Sequence, residues 1–254
     1  MKNYAMITGA SAGLGTEFAK QLAGKGYKLI LTARREDRLR KLAESLEVEC
    51  IIIPADLSKK EECLRLFELI QDKKIDIFIN NAGFGDCSPF LQGDLQKELD
   101  MIDVNIKAMH LLCKRMLQKM QKENHGYILN VASSAGLLPA GPYMATYYAT
   151  KAYVTSLTEA VARELKEQES RVYIGALCPG PVNTEFDTVA NVEFSLKGIT
   201  PEYCVEYALK HMAKRQTIIV PTLLMKLSTA MGKVAPRKMT VKFTAGQQKK
   251  KFKM

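Results

Sequence analysis

Tyr4-Ala5-Met6-Ile7-Thr8-Gly9-Ala10-Ser11-Ala12-Gly13-Leu14-Gly15 is the stretch from which the fold can be read. It opens with an apolar run suited to a buried strand. Its glycines then fall where the chain must turn before a helical segment, Gly13 to Lys25. Strand, glycine turn and helix together open a βαβ unit. Glycine at 9, 13 and 15 permits a tight turn and lets backbone N–H groups and a helix N-terminus approach a pyrophosphate without obstruction by Cβ. The spacing, G-x-x-x-G-x-G, differs from the common G-x-G-x-x-G of dinucleotide folds. On this stretch alone a plain strand-to-helix turn stays open.

Outward from that unit, short β-branched runs alternate with longer helical segments. Strands are predicted at Tyr4 to Thr8, Lys28 to Ala33, Cys50 to Pro54, Ile75 to Asn80, Tyr127 to Val131, Val172 to Leu177 and Thr217 to Val220. Helices are predicted near Gly13 to Lys25, Glu36 to Leu46, Lys59 to Asp72, Leu95 to Gln121, Met144 to Gln168 and Pro201 to Lys214. About seven strands separated by helices imply a parallel sheet, hence a single α/β domain of the Rossmann-type, doubly wound kind. With 254 residues, 47% hydrophobic and 25% charged, the chain can build one such core, and disorder, collagen and coiled coil are excluded. Residues 1–221 read as the catalytic, cofactor-binding part and 222–254 as a basic, amphipathic extension of it.

The longest stretch free of Asp, Glu, Lys and Arg, Asn124 to Thr150, carries Pro139, Pro142 and many hydroxyls. It reads as strand, loop and helix rather than a membrane span. No charged leader precedes the first strand, so the chain is expected to fold from its first residues, in the cytoplasm. Six cysteines without a C-x-x-C pair and three scattered histidines suggest no disulfide framework and no metal site, and free thiols suit a reducing compartment. The net charge of +10 belongs to the tail. Tyr207 to Met254 hold 12 Lys or Arg and no acid, while residues 1–206 hold 25 basic and 27 acidic residues.

The second strand ends in Ala33-Arg34-Arg35. An acid there would accept hydrogen bonds from the free 2′-hydroxyl of NAD, whereas Arg34 and Arg35 suit a 2′-phosphate and favour NADP, used as NADPH. The alternative is a solvated helix start, shared with Glu36, Asp37, Arg38 and Arg40. Asp56 either holds an adenine amino group or caps the helix beginning near Ser58. Further along, Tyr147 and Lys151 are four apart and share one helical face. A cation there favours the phenolate and lowers the tyrosine pKa from roughly 10, which makes a proton donor useful near neutrality. Tyr143 and Tyr148 have no lysine at that offset. Such pairs also occur on plain helix surfaces.

Together these residues resemble the short-chain dehydrogenase/reductase family, from Met1 to about residue 221. The family's T-G-x-x-x-G-x-G stands as Thr8 to Gly15, its N-N-A-G as Asn80-Asn81-Ala82-Gly83, its Y-x-x-x-K as Tyr147 to Lys151 and its P-G as Pro179-Gly180. The resemblance implies a catalytic tetrad. Tyr147 would be the general acid, and the serine thirteen residues before it, Ser134 and not Ser133, would hydrogen-bond the substrate oxygen. Lys151 would bind the nicotinamide ribose and hold Tyr147 acidic, and Asn105 would support a water-linked proton relay. The implied cofactor site comprises Gly9, Ser11, Gly13, Leu14, Gly15, Arg34, Arg35, Asp56, Leu57, Asn81, Ala82, Gly83, Tyr147, Lys151, Pro179, Gly180, Val182 and Thr184, the last on the pyrophosphate or the carboxamide side. No metal is implied.

Substrate contacts are expected from Phe84 to Gly93, Ala135 to Tyr143 and Val182 to Thr200. Phe84, Leu137, Leu138, Met144, Phe186, Val189 and Phe194 make these loops apolar and suit a small apolar carbonyl or alcohol substrate. A dinucleotide-binding redox sensor or scaffold is the competing reading. A homodimer or homotetramer is implied by the resemblance and by Leu99, Ile102, Ile106, Met109, Leu112, Met116 and Met120, which cover more than one narrow helical stripe. Beyond Pro221, Leu223, Leu224, Leu227 and Met231 recur at near-helical spacing. That helix either packs on the protein or a partner subunit, or makes a weak peripheral contact with an anionic membrane. No nucleic-acid fold is identifiable, and the last eight or so residues read as mobile.

Overall fold

The computed structural model describes residues 2–186, 190 and 198–249. Among these, seven parallel strands form one sheet in the order β3-β2-β1-β4-β5-β6-β7. They are β1 Tyr4–Thr8, β2 Lys28–Ala33, β3 Cys50–Pro54, β4 Ile75–Asn80, β5 Tyr127–Val131, β6 Tyr173–Leu177 and β7 Ile218–Ile219. A parallel sheet is covered on both faces, and its near-continuous apolar runs reflect that. Alternate residues supply two cores. Ala5, Ile7, Leu29, Leu31, Ile77 and Ile79 meet Phe18 and Leu22 of α1 (Gly13–Gly24) on one face. Met6, Ile30 and Phe78 meet Leu66 of α3 (Lys60–Leu69) on the other. A register slip of one residue would exchange these sets, so burial fixes the pairing.

The remaining helices are α2 Glu36–Glu44, α4 Leu95–Ile102, α5 Met109–Glu123, α6 Ala145–Glu167 and α7 Pro201–Ala213. The segment predicted as one helix, Leu95 to Gln121, is broken between α4 and α5 by a π-helical turn, Asp103–Ala108, in which Asn105 is buried. Met109, Leu112, Met116 and Met120, read above as surplus for a partner, are buried in this chain's own core, whereas Leu99 is exposed. Asn124 to Thr150 contains β5, a 3-10 turn at Ser134–Leu137 and the start of α6. No helix among the described residues is long and apolar enough to cross a membrane.

After β7, Thr222 accepts the Met225 N–H and caps α8, Leu223–Val234. A second tail helix, α9 Arg237–Lys249, has no counterpart in the sequence reading. Its pattern is inverted: Thr240, Thr244 and Gln248 are buried while Met239 and Phe243 face solvent. Gln247 to Lys249, expected to be mobile, belong to this helix; the rest of that expectation, with Val189 and Phe194, lies outside the described residues.

Candidate active site

β1 and β4 are neighbours in the sheet although two strands separate them in sequence, and at such a switch point the loops diverge and leave a crevice. The glycine turn lies there. Gly9 and Gly13 have φ of +66° and +52°, a region that favours glycine. A Cβ on Gly15 would stand 2.2 Å from the Gly9 carbonyl oxygen, so the helix start can press against the turn only as glycine. Thr8 Oγ1 accepts the N–H groups of Asn81 and Ala82, both at 2.9 Å, and Asn81 Nδ2 donates to the Thr8 carbonyl at 2.8 Å. These bonds stitch the ends of β1 and β4 together and open the N-terminus of α1 onto a cavity of about 900 Å³. Every residue assigned above to the cofactor lines this cavity except Gly15, which lies behind the turn.

At one end of the cavity the two arginines differ. Arg34 is exposed and makes no hydrogen bond or ion pair with the described residues. Arg35 donates to Ser11 Oγ and to Glu185, both at 3.3 Å, and Arg38 donates to the other Glu185 oxygen at 2.7 Å. Asp56 Oδ1 accepts the Ser58 N–H and hydroxyl and so shapes the entry to α3. Burial pulls this carboxyl up, but the Ser58 bonds with Arg34 and Lys59 nearby hold it below the ordinary carboxylate range. Thr184 packs against Gly13, on the turn side.

At the other end, α6 brings up Tyr147 and Lys151. Of the two serines, Ser133 is the one whose hydroxyl acts on Tyr147. The backbone separates the two serines. Ser133 is extended (φ −172°), while Ser134 begins the 3-10 turn and its N–H donates to the Pro179 carbonyl at 2.8 Å. Gly136 seats that turn against α6, since a Cβ there would stand 2.3 Å from the Lys151 carbonyl oxygen. Counting residues back from Tyr147 selects Ser134, which lines the same cavity. Asn105 is buried. Its Nδ2 donates to the Phe84 carbonyl (2.8 Å) and Thr150 Oγ1 (3.1 Å), and its Oδ1 accepts the Phe84 N–H (3.1 Å), so the amide clamps a loop to α6 from outside the cavity wall.

Burial pushes Tyr147 up to about 12, with the Ser133 bond pulling the other way. Lys151 Nζ lies 5.8 Å from the ring centre and donates to the Val131 carbonyl at 2.9 Å. The expected depression of the tyrosine by the lysine is thus absent from the chain itself: burial dominates, and Ser133, not the lysine, is the group that opposes it. Burial lowers Lys151 itself to about 8, from an ordinary 10.5. Below pH 8 both folded and unfolded chains carry this proton, and the buried ammonium destabilises the fold by roughly 3 kcal/mol. Between about 8 and 10.5 the folded chain releases it first and the penalty fades. Lys151→Met removes the charge but strands the Val131 oxygen, at about 1 kcal/mol. The variant should be about 2 kcal/mol more stable at pH 7 in urea titrations, with the advantage shrinking towards pH 10.5; a less stable variant at pH 7 would refute this reading.

The cavity continues past the tyrosine into apolar surroundings. Phe186 lies 5.5 Å from the Tyr147 ring, and Gly85 permits the approach, since a Cβ would stand 2.7 Å from Phe186 Cζ. Phe84, Leu138 and Met144 line it as expected. The outer wall is α8 and α9, through Leu224, Met225, Met231, Met239 and Phe243, and none of these was read from the sequence as a site residue.

Residues 3–193 match the family model described as short chain dehydrogenase. The chain is 35% identical over 192 residues to "Dehydrogenase/reductase SDR family member 11" of Gallus gallus, covering 72% of this chain and 75% of that one. Among solved structures, a short-chain dehydrogenase from Sphingobium yanoikuyae in complex with NADPH superposes with a TM-score of 0.82 at 27% identity, covering 92% and 94% of the two chains. A 3-ketoacyl-(acyl-carrier-protein) reductase from Brucella melitensis complexed with NADH superposes with a TM-score of 0.76 at 25% identity, covering 86% and 96%.

Proposed function

The chain belongs to the short chain dehydrogenase family, and from that premise we propose that it reduces an apolar ketone or aldehyde to an alcohol with NADPH. The observation that carries the reading is one cavity with the glycine turn at one end and the buried Tyr147, with Ser133 and Lys151, at the other. The turn fits a nicotinamide dinucleotide, because Gly9 and Gly13, at φ of +66° and +52°, line the cavity where α1 opens and leave its backbone N–H groups approachable. When bound, that cofactor supplies the hydride. The chain supplies the proton chemistry. Tyr147, neutral through the physiological range, donates its hydroxyl proton to the substrate oxygen, and the Ser133 hydroxyl stabilises charge on that oxygen. Lys151 holds a cation behind the phenol, and Asn105 is a positioning residue that fixes Phe84 against α6. A redox sensor needs no such proton donor. A carbonyl panel followed by loss of NADPH absorbance tests the proposal; no turnover across the panel would sink it.

The preference for NADPH rests on Arg34, whose guanidinium is uncommitted among the described residues, while Arg35 and Arg38 share Glu185. A charge-assisted contact is worth roughly 1.5–3 kcal/mol, so Arg34→Ala should weaken NADPH about tenfold to a hundredfold and NADH far less. Equal losses measured by fluorescence titration would mean that Arg34 does not read the 2′-phosphate.

We also propose that the outer faces of α8 and α9 rest weakly on an anionic membrane. Leu223 and Leu227 are exposed there, away from the cavity, and no acid follows Glu206. At roughly 1 kcal/mol per basic residue near an anionic surface, attraction is measurable and weakened by salt. The protein should sediment with phosphatidylserine vesicles at low salt and be released at high salt; protein left in the supernatant at low salt removes the claim. A homodimer or homotetramer rests on family likeness and on the exposed Leu95 and Leu99, and light scattering checks it. The free cysteines support a cytoplasmic location, which cell fractionation tests.

A further inference from the structure

The substrate cavity is apolar along most of its outer wall, but α9 turns a polar face inward. Thr240, Thr244 and Gln248 recur at intervals of one helical turn and are all buried. The two threonines are satisfied locally: Thr244 donates to the Ala140 and Val241 carbonyls at 3.0 and 2.9 Å, and Thr240 to the Pro236 carbonyl at 3.5 Å. Gln248 differs. It is 2% exposed and lines the cavity, and its Nε2 donates to the Tyr148 hydroxyl at 2.6 Å. Its Oε1 is the buried side-chain oxygen without a partner among the described residues.

A buried polar atom left unpaired costs on the order of 1–3 kcal/mol, and native chains retain few of them without a reason. Turning the amide about its last bond does not remove the problem. Oε1 would then accept from Tyr148, and the amide nitrogen would be stranded in its place. Either way one end of the amide is open. Tyr148 is held for the same purpose, because its ring lies against Gly141, where a Cβ would stand 2.3 Å from Tyr148 Cδ2. As the acceptor of the Gln248 bond, its hydroxyl keeps its own proton to donate.

We infer that Gln248 and Tyr148 form a polar subsite for a hydroxyl group of the substrate, remote from the carbonyl that is reduced. A hydroxyl donates and accepts at once, so it satisfies the open end of the amide in either orientation. With Gln248 Nε2 donating to Tyr148, as here, it also takes the Tyr148 proton. The inference rests on the reading of this cavity as a carbonyl reductase site and narrows the substrate to an apolar hydroxy-ketone or hydroxy-aldehyde. A compound that is apolar from end to end leaves the amide unpaired.

The test compares methyl ketones of increasing chain length with their terminal-hydroxy counterparts, bound to the full chain in the presence of saturating oxidised cofactor and measured by calorimetry. For the chain length that fits best, the hydroxy-ketone should bind about tenfold more tightly, as one added hydrogen bond and one relieved acceptor predict. Gln248→Leu and Tyr148→Phe should each bring that ratio close to one. Gln248→Leu removes a buried unpaired group, so its thermal midpoint should not fall, which separates loss of the subsite from loss of the fold. Equal affinity for the two series, a preference that survives in both variants, or no binding of either series overturns the subsite. Turnover is read separately. Preferential binding that depends on Gln248 without NADPH oxidation refutes the reductase reading and leaves the subsite standing.

Discussion

Tyr147→Phe should lower turnover by about 10²–10⁴-fold, the range that a positioned general acid contributes, and change cofactor affinity far less. The substitution removes one oxygen and keeps the ring, which packs against Phe186 and fills the floor of the cavity. The expected loss is therefore in kcat at saturating substrate, with little change in thermal midpoint. Burial holds the parent phenol near 12, so the proton is present throughout the physiological range and no ionised fraction blurs the comparison. Near-normal turnover by Tyr147→Phe, on a substrate that the parent reduces well, would mean that the proton comes from elsewhere.

The second large effect separates two adjacent hydroxyls. Ser133→Ala should cost about 10²–10³-fold in kcat, the scale associated with one donor aimed at a developing oxyanion, and Ser134→Ala should cost far less. Both residues line the cavity, but only the Ser133 hydroxyl acts on Tyr147, and the Ser134 backbone is engaged with Pro179. Ser133 also accepts the Ala135 N–H at 3.1 Å, which orients its oxygen before any substrate arrives. Steady-state kinetics on the two alanine variants decide the matter. A larger loss in Ser134→Ala would restore the residue that spacing alone selects.

The strands were legible because a sheet buried on both faces writes itself as apolar runs such as Ile75 to Ile79, whatever the chain does next. The glycine turn was legible for a steric reason that leaves no other residue at Gly15. The choice between Ser133 and Ser134, which both line the cavity, was not, because one residue of loop length shifts the count back from Tyr147 and composition is silent on that length. The π-helical turn was hidden too: one extra residue hardly disturbs the apolar periodicity from Leu99 to Met120, yet it moves Asn105. α9 was missed for the opposite reason. A helix that buries Thr240, Thr244 and Gln248 and exposes Met239 and Phe243 carries a pattern that hydrophobic periodicity reads backwards.

The glycine turn and the outer wall of the same cavity lie far apart in sequence, the turn at residues 9–15 and the wall on α8 and α9. For evolution this makes the gene modular along its length. Changes confined to α8 and α9 can remodel what is recognised without touching the apparatus that performs the chemistry. A new specificity can therefore arise by exchange of that one segment rather than by scattered substitution.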